Sequence, residues 1–343
     1  MAVMFILIGI LFTISFKFIE NVSWEEAIWQ VWQTATTVGY GNRPAETTAG
    51  RWATILFGML GIAILGTLIG ALFDYREEMR DRRRLGLLEN PFKNGIVIFN
   101  YPGTSRFVEL LRELRFADPD IPVCVVDNKL DELPPGISAL PNMHFLKGSI
   151  LSEDTYKQAK LQENWVAIVF PADSLNPESD ATTKVTVDMI EKFAGDTTRI
   201  IHMLVDPNNE WLFADKKSTT IMESLEILAI VQEIHDPFCA PTIQRLLLNT
   251  EGGNPMTVRP TKIVGWTWGE LMIYSIRVAE KKGHTINPFA LIRNKKPVNC
   301  PSFDMMIEED DLLIITVQGQ LDWKWFEKEL ETAKKRETDK QEK

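Results

Sequence analysis

Cysteine is nearly absent from this chain: Cys124, Cys239 and Cys300 are far apart, odd in number and form no metal-ligand pair. That excludes a disulfide framework and a cysteine-built metal centre, and it fits core thiols in a reducing cytoplasm. Positive charge is in deficit. With 37 Lys and Arg against 47 Asp and Glu the formal charge is −10, and the acids spread through the region beyond residue 75, which excludes a nucleic-acid partner. No catalytic base stands out, so nothing marks an enzyme. Long apolar runs are lacking after residue 73. The about 270 residues that follow have ordinary charge and are numerous enough to bury a core of their own.

What is present is Thr37-Val38-Gly39-Tyr40-Gly41, set between two apolar segments. Glycines at alternate positions permit backbone angles that other residues resist. Four copies meeting at an axis would stack rings of carbonyls that replace the water around a potassium ion, with the Thr37 hydroxyl as a lower ring. An isolated Gly-x-Gly more often makes only a turn; the flanking segments favour the pore. Ala2 to Phe16 is almost wholly apolar, followed by Lys17, and reads as an outer helix. A signal peptide is the alternative, but the positive n-region and the small-residue cleavage site are both missing. Ser23 caps a helix with Glu25 and Glu26 in its first turn, running through Trp29 and Trp32 to Ala35, whose C-terminal dipole end favours a cation. Ala53 to Phe73 is a second, uncharged span with Gly58, Gly61, Gly66 and Gly70; Gly61 is a candidate bending point and the others suit close packing. Arg76, Arg80, Arg82, Arg83 and Arg84 then place this end, and both termini, in the cytoplasm.

Thr34 to Gly41, Thr-Ala-Thr-Thr-Val-Gly-Tyr-Gly, resembles the signature of two-transmembrane potassium channels. The resemblance implies a homotetramer in the cell membrane, in contact with lipid, with K+ in four filters around one axis and a hinge at Leu60-Gly61-Ile62. Asn42 stands where that family usually has an aspartate, so one outer-mouth carboxylate is missing. Glu46 is the nearby acid, more simply read as a solvated loop residue.

Beyond a linker ending near Asn94, strands are expected at Gly95–Asn100, Ile121–Val126, His144–Leu146, Trp165–Phe170 and Arg199–Leu204. They alternate with helices at Thr104–Arg115, Ser152–Lys160 and Ala181–Phe193. This alternation predicts a doubly wound parallel sheet. Asp127 lies about twenty-five residues after the first strand-to-helix turn, where an acid would meet a ribose hydroxyl. The Gly-x-Gly-x-x-Gly loop is changed to Asn100-Tyr101-Pro102-Gly103-Thr104-Ser105, although Gly103, Thr104 and Ser105 still sit at a helix N-terminus suited to an anion. Asn100, Gly103, Thr104, Ser105, Asp127 and Gly148 are therefore the candidate nucleotide residues, for an NAD- or ATP-type ligand; an empty structural turn is the alternative.

Gly95 to Gln318 resembles the RCK domain, the regulator of potassium conductance. Ile286-Asn287-Pro288, Ala290 to Arg293 and Ile307 to Ile314 resemble its small α+β C-terminal lobe. Ser224 to Leu248, interrupted by Pro237 and Pro241, resembles the helical crossover through which RCK subunits pair; a hairpin buried within one subunit is the alternative. Calcium-gated members carry acids around the fourth and fifth strands, where Ca2+ finds its hard oxygen ligands. This chain departs there, its fifth strand from Arg199 to Asp206 carrying apolar residues where glutamates are expected; Asp173, Glu178, Asp180 and Asp206 are the candidates for a different site for Ca2+ or another divalent ion, against a solvated loop, and His202 is a candidate ligand against a satisfied strand residue. The expected plan is a pore domain at 1–75, a linker at 76–94, a Rossmann-like lobe at 95–223, a crossover at 224–250, a C-lobe at 251–320 and a charged C-terminal helix or tail at 321–343. Ligand binding would reshape a ring of these lobes and pull on the inner helices. Eight lobes are usual in such rings and a tetramer supplies four, so soluble copies begun at a methionine such as Met79 would complete an octameric ring. A membrane-anchored dinucleotide enzyme and an RCK subunit of a separate transporter are the competing classes.

Overall fold

The computed structural model describes residues 2–194, 198–222, 225–249, 253–283, 285–319 and 321–341. It separates into two compact units, 1–88 and 89–343. The expected boundaries at 223–224, 250–251 and 320–321 touch positions outside the described residues.

The first unit has three helices: α1 (Ala2–Glu20), α2 (Trp24–Ala35) and α3 (Thr48–Arg84). Ser23 starts α2 with a reciprocal cap, its hydroxyl accepting from Glu26 N at 3.2 Å while the Glu26 carboxylate accepts from Ser23 N at 3.1 Å. Thr47 caps α3 by accepting from Gly50 N at 2.9 Å. Phe12 and Phe16 of α1, Ala27 and Ala35 of α2, and Phe57 of α3 form the core, with the Phe12 and Phe57 rings stacked at 4.1 Å.

α3 is long and apolar enough to cross a membrane. At a rise of about 1.5 Å per residue it is roughly 55 Å long, so it exceeds the hydrocarbon core by several turns. The charged segment expected as a linker is therefore a helical extension as far as Arg84. No glycine or proline stands between residues 71 and 85, and exposed Glu77–Arg80 and Asp81–Arg84 pairs at i,i+3 lend it modest support.

The second unit opens with β1 (Ile96–Phe99), α4 (Thr104–Ala117), β2 (Val123–Asp127), α5 (Pro135–Ser138), β3 (Met143–Lys147) and α6 (Glu153–Gln158). It continues with β4 (Val166–Val169), α7 (Ser179–Ala194), β5 (Arg199–Leu204) and β6 (Thr219–Met222). These strands form one parallel sheet in the order β3-β2-β1-β4-β5-β6. Alternation along β1 divides the core between two faces. Val97 and Phe99 pack with Leu146, Tyr156 and Ile190, while Ile96 and Ile98 pack with Phe107, Leu111 and Phe145. Cys124 belongs to the first face, where burial pushes its thiol pKa up. Cys239 is only half-buried and Cys300 is exposed, so one of the three thiols expected in the core lies there.

The crossover consists of α8 (Leu225–His235) and α9 (Cys239–Leu247), and neither helix has a buried residue. The C-lobe follows as β7 (Pro255–Val258), α10 (Trp268–Lys282), β8 (Ile286–Arg293), β9 (Lys296–Asn299), β10 (Leu312–Val317) and α11 (Trp323–Gln341). Its antiparallel sheet runs β7-β10-β8-β9. Of the expected charged helix or tail, the structure has the helix, and it is part of this lobe: Phe326 and Leu330 of α11 are fully buried, and Glu327 accepts from Thr261 N and Lys262 N.

Candidate functional site

The filter segment leaves the C-terminal end of α2 with its backbone alternating in hand. Thr37, Gly39 and Gly41 have φ of 59°, 56° and 68°, while Val38 and Tyr40 between them stay out of the positive region. Positive φ at every second residue departs from an extended strand, in which all φ are negative. Gly39 has open space where a Cβ would stand, so φ rather than crowding requires glycine there. The entry turn is fixed by Thr36 N donating to Trp32 O at 3.0 Å and Gly39 N donating to Gln33 O at 3.2 Å.

Behind this strand stands an aromatic cuff. The Trp29 ring stacks on Tyr40 at 5.9 Å and on Trp32 at 5.3 Å, and its indole Nε1 donates to Asn42 Oδ1 at 3.3 Å. Trp29 thus meets this segment through a ring contact at Tyr40 and a hydrogen bond at Asn42. Asn42, noted in the sequence only as a lost carboxylate, takes up the amide end of that bond. Residues 36–44 are exposed in a single copy, and a cavity of about 780 Å3 opens beside them, lined by Gln33, Thr34, Thr37, Gly39, Gly41 and Ile62. Arg43 pairs with Glu26 at 3.0 Å, and Glu46 N donates to Glu20. Gly61 lies against α2, where an added Cβ would meet the Ala35 Cα at 3.7 Å, an ordinary contact.

The nucleotide candidates gather around the carboxyl ends of β1 and β2. Asn100 (φ 61°) donates from Nδ2 to Phe170 O at 2.7 Å. Gly103 (φ 91°) precedes α4 with no side-chain cap, and the Thr104 hydroxyl is bonded to Tyr101 Oη at 3.1 Å. Ser105 is exposed on the first turn of α4. Asp127 is buried, its carboxylate accepting from the backbone N of Tyr101, Lys129 and Leu130 at 2.8, 2.6 and 3.0 Å. Gly148 admits the Thr155 side chain, which a Cβ would meet at 2.5 Å.

Of the acidic candidates, Asp180 is almost wholly buried and accepts from Val205 N, Asp206 N and Asn209 Nδ2 at 2.8, 3.0 and 2.9 Å. Asp206 caps a short 3-10 turn by accepting from Asn208 N at 2.9 Å, and Asp173 turns its own loop by accepting from Leu175 N at 3.0 Å. Glu178 is exposed. Asp180 and Asp206 are thus brought side by side, but among the described residues no three His, Cys, Asp or Glu side chains converge as a metal site. His202 is fully buried and stacked on Phe213 at 3.9 Å. Burial lowers its pKa to about 4, partly opposed by Asp180. Sequence reasoning missed Lys129, whose Nζ donates to Ala172 O at 2.8 Å; a lone lysine after a strand gives no signal.

Residues 1–78 match the ion channel family. The chain is similar to the calcium-gated potassium channel TvoK of Thermoplasma volcanium, 29% identical over 243 residues that cover 68% of this chain and 67% of that one. It is also similar to the putative potassium channel protein YugO of Bacillus subtilis, 27% identical over 156 residues, 46% of this chain and 45% of that one. Among solved structures, the GsuK channel bound to NAD is 16% identical over 92% of this chain and 56% of its own, with a TM-score of 0.47. The human SLO3 gating ring is 15% identical over 66% and 44%, with a TM-score of 0.49. Over those 78 residues the first unit is thus similar to an ion channel. Beyond that unit the chain has a Rossmann-like parallel-sheet lobe and a small antiparallel-sheet lobe.

Proposed function

We propose that this chain is a potassium-selective channel that works as a homotetramer in the cell membrane, opened or closed by a ligand acting on its RCK lobes. One observation carries the reading: positive φ at Thr37, Gly39 and Gly41, in register at the C-terminal end of α2. Four such strands around an axis present ladders of carbonyls to a dehydrated K+, and the four helix dipoles point their negative ends at it.

The exposed apolar surface of α3, including Leu56, Met59 and Ile62, is available to lipid and to partner subunits. The arginines from Arg76 to Arg84 support a cytoplasmic position for the second unit and the N-terminus. Gly61 is the point at which α3 bends. The exposed apolar side chains of α8, among them Ile227, Ile230 and Ile234, pair the lobes of neighbouring copies, and soluble copies of the same lobes complete an octameric ring. The gating ligand is a divalent cation or a nucleotide; the name of the Thermoplasma volcanium relative supports the first. Asp173, Glu178 and Asp206 offer oxygens along the carboxyl edge of β4 and β5, with Asp180 holding that edge in shape. Ligand binding shifts the open fraction by its differential affinity for the two states of the ring.

The test is potassium flux from liposomes containing only this protein, with barium block, sodium as competing ion, and calcium, NAD and ATP added in turn. Barium-sensitive, potassium-selective flux changed by one ligand is the expected result. Absence of flux under every addition would sink the proposal.

A further inference from the structure

The strand order of the N-lobe implies a particular ligand position. In such sheets a dinucleotide lies outside the carboxyl ends of the strands where the order reverses, here between β1 and β4, with its pyrophosphate on the N-terminus of the helix after β1. The residues at that point do not fit one. Asn100 reaches across the β1–β4 gap to Phe170 O, and Pro102 contributes no amide to an anion. Tyr101 lies over Phe107 with ring centroids 5.3 Å apart, and its hydroxyl engages Thr104 at the start of α4.

The acid expected to hold a ribose has other work. Asp127 is 6% exposed, and three backbone amides already point at its two oxygens, tying the β1–α4 turn to the turn after β2. Lys129 completes the closure. It starts beyond β2 and its Nζ ends on Ala172 O beyond β4. In the order β2-β1-β4 those strands lie two spacings apart, about 10 Å. Lys129, itself exposed, thus ties the loop after β2 to the loop after β4, the two that flank the end of β1.

We infer that the Rossmann crevice of this lobe is sealed by the chain's own side chains and takes no dinucleotide, with Lys129 as a strap across it and Asp127 as the pin beneath. The inference rests on the RCK reading and narrows its gating ligand. Asp127 is on this account a positioning residue.

The experiment titrates NAD and NADH into the full chain in detergent, reading heat and melting temperature. At about 1 mM, roughly a hundredfold above a site of about 10 μM, a real site raises Tm by several degrees. The expected result is no saturable heat and a Tm shift below about 1 °C. Asp127→Asn should lower Tm equally with and without nucleotide. Saturable binding by the wild-type chain, or a nucleotide found by mass spectrometry in the purified protein, would overturn the inference whether or not that variant folds. Potassium flux is read on the same preparation. A protein that conducts but ignores nucleotide upholds both readings, whereas one that binds nucleotide and conducts upholds only the channel.

Discussion

At Gly39 the backbone and the chemistry meet in one torsion angle. The φ of 56° lies in the left-handed region with nothing within 4 Å of a built Cβ, so Gly39→Ala meets no steric clash and still costs about 1–2 kcal/mol of backbone strain. A residue that relaxes this strain by flipping its peptide turns one carbonyl off the axis in each subunit. The expected outcome is an assembled protein whose flux no longer distinguishes potassium from sodium, checked by competing-ion flux alongside size-exclusion chromatography. His202 makes a separate prediction. Its folded pKa of about 4 lies below the ordinary 6.5 because the ring is buried, so between those values the unfolded chain binds the extra proton. Stability therefore rises with pH across that window and is lost on acidification from about 6.5 towards 4, by about 3 kcal/mol at most. Urea unfolding at pH 7 and pH 4.5 should show His202→Gln with a smaller difference than the wild type. An equal difference would place the acid sensitivity elsewhere.

At the scale of elements, α3 can be tested at Gly61 without disturbing its packing. An added methyl there finds the Ala35 Cα at 3.7 Å, and the position is helical, so Gly61→Ala favours the straight helix by roughly 1 kcal/mol. If Gly61 is where α3 bends, that substitution leaves Tm unchanged or raised while lowering the ligand-evoked flux; unchanged flux would remove the hinge. Elements with strong periodic or apolar signals were legible from the sequence. The Ser23 cap, the five expected strands, and helices α4 and α7 emerged within a few residues of their expected ends. The losses have physical reasons. β6 is a four-residue edge strand, Thr219 to Met222, without a buried side chain, and α5 is one turn. The packing of α11 into the lobe was hidden because its charges outnumber its anchors, yet Phe326 and Leu330 recur at i,i+4 and are both fully buried. The unusual backbone of the candidate filter was legible because two of its three positive φ angles fall on glycines. Asp127 was legible in position only: its type and spacing suggest a ribose contact, whereas the amides that occupy it come from Tyr101, Lys129 and Leu130, residues whose identity is irrelevant to an N–H.

The whole molecule divides after Leu88 into one unit with a membrane-length helix and one with two cores of its own. On the proposed function, that division makes conduction and ligand response separable properties. α8 exposes Ile227, Leu228, Ile230, Val231 and Ile234 on a helix with no buried residue, more apolar surface than a monomer usually leaves in water. A chain comprising 89–343 is therefore expected to be soluble and to associate with itself, and Ile230→Asp with Ile234→Asp should leave it monomeric by light scattering, because each introduces a charge into an apolar contact. The proposed ring adds a stricter expectation. If four lobes in a tetramer are completed by four soluble ones, then 89–343 added to liposomes holding the full chain with its lobes outward should alter the ligand response of the flux, while the doubly substituted form should not. An identical response to both additions would mean that the tetramer gates with its own four lobes, and the function of α8 would then have to be sought in contacts between those.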